Sequence, residues 1–132
     1  MKKIIFFTIA FISTMITMSF EKVDDNAQNT FLEKCWTRSY EEETSKDTLI
    51  FRPCKYKEFP PRRFREVLNF KKNNVYSYLV LAPNDAHYMK EAEGKWIYNE
   101  NKKVIEFYNT NLEVTHKIEV IELTDNLLKV IN

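Results

Sequence analysis

Two histidines, two cysteines and a dense run of arginines and lysines are the residues of this 132-residue chain whose chemistry bears weighing first. His87 follows Asp85 by two positions in Pro83-Asn84-Asp85-Ala86-His87-Tyr88, a spacing that lets a carboxylate hold an imidazole tautomer, as a general base requires. No activated nucleophile accompanies it, because Ser39, Ser45 and Ser77 lie in no elbow motif. The pair therefore reads as a turn aspartate beside a surface histidine, and the chain as a non-enzyme. His116 belongs to the apolar face of an alternating run, Leu112, Val114, His116, Ile118 and Val120. It is expected to point inward, either as a satisfied core histidine or as a polar group lining a pocket. No third nitrogen or carboxylate stands at ligand spacing from the two histidines, so neither a metal nor a cofactor is expected.

Between Arg52 and Lys72 eight basic residues (Arg52, Lys55, Lys57, Arg62, Arg63, Arg65, Lys71 and Lys72) face two acids, Glu58 and Glu66. Arginine forks in that density suit an anion or an acidic partner, with Arg63 and Arg65 held by the stiff Pro60-Pro61 pair. The alternative is internal neutralisation by Glu41-Glu42-Glu43 and Asp47 across a sheet. The formal net charge of +1 argues against nucleic acid as a partner. A single glycine, Gly94, excludes glycine-rich phosphate loops and dinucleotide fingerprints.

The compartment governs how the cysteines read. Met1-Lys2-Lys3 followed by the uncharged run Ile4 to Phe20 fits a signal peptide over residues 1–19, with Thr17 and Ser19 small enough for the cleavage positions. The leader implies export to the periplasm or the extracellular space, and a mature form that spans no membrane once the leader is cleaved. A retained anchor is the alternative. In an oxidising compartment Cys35 and Cys54 can close into a disulfide. A hairpin centred between Thr44 and Ser45 opposes residues whose numbers sum to 89, and 35 and 54 sum to 89. Trp36, Arg38 and Tyr40 then share a face with Leu49, Phe51 and Pro53, which makes the aromatic side the core side. Two unlinked thiols remain the alternative, because Thr44-Ser45 is not a favoured two-residue turn.

The elements that must position these groups are mostly strands. Apolar spacing of two recurs from residue 35 to the end, and one short helix is expected around Asp24 to Lys34. Phe64 to Phe70 and Val75 to Leu81 read as a hairpin across Lys71-Lys72-Asn73-Asn74. Pro83 to Gly94 reads as a loop. Lys95 to Tyr98 and Val104 to Tyr108 form a second hairpin, a bulge falls near Ile121 to Leu123, and Leu127 to Ile131 closes the set. The count predicts an all-β domain over 20–132, an antiparallel up-and-down β-barrel of about eight strands, with a two-sheet sandwich as the competing arrangement.

The order Leu32-Glu33-Lys34-Cys35-Trp36, Phe51-Arg52-Pro53, Phe59-Pro60-Pro61-Arg62-Arg63-Phe64-Arg65, Leu81-Ala82-Pro83-Asn84-Asp85 and Gly94-Lys95-Trp96 resembles small secreted bacterial lipocalin-like domain proteins over residues 31–131. That resemblance implies a short β-barrel, often exported and mostly without an assigned activity. With the aromatic content, it leads to the expectation of a binder of a small apolar or amphipathic ligand or an envelope component. His116, Tyr76, Tyr78, Trp96, Arg63 and Arg65 are the candidate ligand-binding residues, with Tyr98 and Tyr108 as further wall aromatics. The alternative is a protein interaction or inhibitor module using the basic loop 55–65.

Overall fold

Period-two alternation organises most of the strands from Cys35 onward, and the buried apolar residues it creates gather in one core. The computed structural model describes residues 30–131. The leader over 1–19 and most of the expected helix from Asp24 lie outside the described residues, of which 30–32 are helical. Nine strands follow: β1 Cys35–Arg38, β2 Thr48–Pro53, β3 Val67–Phe70, β4 Tyr76–Leu81, β5 His87–Glu91, β6 Lys95–Asn99, β7 Val104–Tyr108, β8 Val114–Leu123 and β9 Leu128–Ile131. All neighbours pair antiparallel in one sheet of order β5-β4-β3-β1-β2-β9-β8-β7-β6, curled into a half-barrel.

Three expectations are corrected. The strands number nine, because the segment read as a loop contains β5. All five residues of β5 are exposed, so no buried face imprints a period on its sequence. The order is not a simple up-and-down meander, since β1 and β2 are exchanged: β1 lies beside β3, and β2 lies beside β9. β2 ends next to the start of β1 while β3 begins next to its end, so the connection over residues 54–66 must run the length of β1. Thr37 points away from the core yet is buried, as a strand crossed by its own connection would be. Finally, the curl leaves β5 and β6 as two free edges with no ladder between them.

The β1–β2 register pairs Trp36 with Pro53, Thr37 with Arg52 and Arg38 with Phe51, the sum of 89 expected from the cysteines. Cys35 and Cys54 continue that register as a disulfide, with Cα atoms 5.4 Å apart. The hairpin is shorter than expected, however, because a 3-10 turn at Tyr40–Glu42 takes the chain out of the ladder. Asn73 and Asn74 adopt positive φ of 62° and 63° in the β3–β4 turn, a conformation asparagine tolerates better than most residues. The ladder of β8 with β9 shifts between Val120 and Glu122, where the bulge was expected.

Trp36, Leu49, Phe51, Phe70, Trp96, Ile105, Phe107, Val120, Leu128 and Val130 form the core, with Leu32 added from the helical residues. The Trp36 indole donates to the Leu32 carbonyl at 3.0 Å, which ties that turn to the sheet. Across the gap between the edges, side chains replace the missing ladder. The Trp96 ring lies 4.8 Å from Phe70, its Nε1 donates to the Val75 carbonyl at 3.0 Å, and Asn74 Nδ2 donates to the Trp96 carbonyl at 2.9 Å. Close packing continues at Gly94, where a Cβ would sit 1.6 Å from the Tyr108 carbonyl oxygen. Glycine is therefore required by the approach of backbone to backbone.

Candidate functional site

The inner face is filled around Trp96 but not between β3–β4 and β7–β8. There the curl leaves a cleft of about 440 Å³, within the span common to small-molecule sites. Leu68, Tyr76 and Tyr78 face Phe107, His116 and Ile118 across it. Each of these follows the alternation of its strand, so period two carries the wall directly from sequence to site. The Tyr76 ring meets Phe107 edge-on at 5.0 Å and lies 6.4 Å from Tyr78, while Phe107 lies 5.9 Å from His116. Burial pushes the Tyr76 phenol above its usual pKa, so it remains a neutral hydroxyl able to donate as well as accept. A second, more polar hollow of about 370 Å³ adjoins it at the open seam and shares Tyr76, Tyr78 and Thr115 with it.

Of the six candidate ligand residues, the structure brings Tyr76, Tyr78 and His116 together in this cleft. Inward direction holds for His116, but the side chain is exposed at the mouth instead of packed in a core, because no strand closes over it. Trp96 lies apart, 1 % exposed, as a core residue. Arg65 is bound into the scaffold: it donates to both Glu41 oxygens at 3.1 and 2.7 Å, to the Arg38 carbonyl at 2.8 Å and to the Pro60 carbonyl at 2.7 Å. Arg63 pairs on the surface with Asp85 at 2.9 Å. Sequence reasoning passed over Phe64, Glu66, Leu68, Phe107 and Ile118 as cleft residues. Their shared alternation was the available signal, but only strand order reveals which alternating faces meet.

The basic segment is largely neutralised from within. Both Glu42 oxygens accept from Arg52, at 3.0 and 2.7 Å, and Lys57 approaches at 3.5 Å. The Arg65 and Arg52 guanidinium groups hold the Glu41 and Glu42 carboxyls down to about 2. Arg38 is gripped by Glu43 at 2.7 and 3.0 Å, and that hydrogen-bonded contact is the main cause of its raised pKa. The Arg62 guanidinium lies 3.9 Å from the centre of the Tyr40 ring. Asp47 takes no part in these pairs.

Asp85 does not orient His87. It pairs with Arg63, while His87 Nε2 donates to the Arg63 carbonyl at 2.8 Å. The two residues clamp the end of the crossing connection to β5, a structural task. Among the described residues no group of three or more His, Cys, Asp or Glu is placed to hold a metal ion, and no helix is long and apolar enough to cross a membrane.

Comparisons with family models, curated proteins and solved structures find no match. The cleft is therefore read from its own chemistry.

Proposed function

We propose that this protein is an exported, lipocalin-like, non-catalytic binder that takes a small amphipathic molecule, such as an envelope component, into the cleft between β3–β4 and β7–β8. The observation that carries this reading is the cleft itself: about 440 Å³ of space walled by apolar and aromatic side chains, with a few polar groups to orient a guest. The Cys35–Cys54 disulfide supports export, because such pairs persist in oxidising compartments. The basic loop 55–65 is less suited to a partner, because Arg65, Arg63 and Arg62 are spent on Glu41, Asp85 and the Tyr40 ring, and Lys57 approaches Glu42.

Titration with the neutral fluorescent probe N-phenyl-1-naphthylamine tests the reading. Saturable binding is expected, with affinity lowered about tenfold or more in His116→Trp, where an indole at the exposed mouth occupies the guest's space. Because His116 is exposed, the substitution leaves folding intact, which thermal unfolding would verify. Absent saturation, or affinity unchanged by His116→Trp, overturns the proposal. Where binding saturates and His116→Trp weakens it, native mass spectrometry of protein purified from its own host identifies the retained guest.

A further inference from the structure

The charge around the cleft is one-sided. Eleven residues line it, and among them Glu66 is the one carboxylate, with no lysine or arginine. Glu66 does touch a cation, since its Oε2 lies 3.3 Å from Arg38 Nη1. That guanidinium is, however, already held by both oxygens of Glu43 at the shorter distances of 2.7 and 3.0 Å. Glu66 thus shares this cation with a better-placed carboxylate, so its charge is only partly compensated at the cleft. The Glu66 side chain is 37 % exposed, so a guest can reach it.

The walls point the same way. Phe64, Tyr76, Tyr78 and Phe107 supply four aromatic rings to the lining, and ring faces carry a negative quadrupole that attracts a desolvated cation. A carboxylate guest would meet Glu66 and these faces with repulsion, with no lysine or arginine in the lining to offset it. We infer that the cleft selects an organic cation, an ammonium or quaternary ammonium head beside Glu66 and the rings with an apolar body lying over Leu68 and Ile118. This inference rests on the cleft being a ligand site, and it adds the charge and class of the ligand.

Calorimetric titration at pH 7.5 and low salt with three probes sharing one tail, octyltrimethylammonium, octanol and octanoate, separates the two ideas. The cation is expected to bind about tenfold or more tightly than octanol, and octanoate more weakly than either. Glu66→Gln should bring the cation to the level of octanol while changing octanol itself less than about twofold. Tyr78→Leu, which leaves Glu66 and Arg38 in place, should weaken the cation more than the alcohol. Equal affinities for all three probes, or a preference for octanoate, overturn the cation inference while leaving the apolar cleft standing. Binding of none of them overturns the cleft as a ligand site and this inference with it.

Discussion

Acid should unpick the Glu41 and Glu42 pairs in a defined window. Both carboxyls titrate at about 2 in the folded protein against an ordinary value of 4.5, through their hydrogen bonds to Arg65 and Arg52. Between those values the unfolded chain binds more protons than the folded one, so stability rises with pH there and is lost as pH falls from about 5.5 towards 2. Taken at face value, 2.5 units at 1.36 kcal/mol each would be about 3 kcal/mol per group. Their side chains are 31 % and 30 % exposed, and solvent screening cuts that to about 1 kcal/mol each, or roughly 2 kcal/mol for both. The assay is urea unfolding at half-unit pH steps, for the wild type and for Glu42→Gln. The variant should be less stable at pH 7 by about 1 kcal/mol, and the two curves should converge near pH 2 as the wild-type carboxyl takes up its proton. Curves that stay parallel from pH 7 to pH 2 would refute the assignment of that acid sensitivity to the Arg52 pair.

Three more outcomes are expected. Reducing the disulfide, or replacing both Cys35 and Cys54 with alanine, should cost about 3 kcal/mol by the chain-entropy relation for a separation of 19 residues, lowering Tm by more than about 10 °C; a shift under about 2 °C would contradict it. Gly94→Ala forces a Cβ into the Tyr108 carbonyl and should destabilise by at least about 2 kcal/mol, with loss of amide protection in β6 and β7 by hydrogen exchange. Leu112 holds φ of 61° while 74 % exposed, so Leu112→Gly should raise Tm by a few degrees, since it relieves roughly 1 kcal/mol of left-handed strain and removes little packing.

Local chemistry made much of this fold legible. The cysteine pair and the aromatic face of Trp36 and Phe51 point to the β1–β2 register in the sequence itself, because a one-residue slip would turn the indole to solvent. The β3–β4 and β6–β7 hairpins followed from polar turns between apolar runs. β5 was invisible for a physical reason: an edge strand that buries nothing has no alternation to select for. Strand order was invisible too, since nothing in the alternation of β1 states that β3 will lie on its far side. The cleft inherits both limits. Inward direction could be assigned to His116, but for Tyr76 and Tyr78 the mixed run Val75 to Leu81 marks no one face, and the space between the three depends on which faces meet and on a gap no side chain announces. Trp96 shows the converse, an aromatic with the right periodicity that packs against Phe70 and leaves no room for a guest.

The place of β9 between β2 and β8 also sets the order in which the sheet can be joined. Strands β1 to β5 can assemble as soon as Glu91 is available, and β6 to β8 form their own meander. The two blocks share a ladder only through β9, whose Leu128 and Val130 are each 1 % exposed in the middle of the sheet. Thr48 pairs with Ile131 and Phe51 with Leu128, contacts that span some eighty residues of chain. β9 is therefore a keystone laid last. During synthesis the earlier blocks must wait with their apolar faces uncovered, and the closing step, pairing across so long a separation, is the slow one. A chain stopped short of residue 128 should yield two unjoined pieces of sheet instead of a smaller version of the same fold.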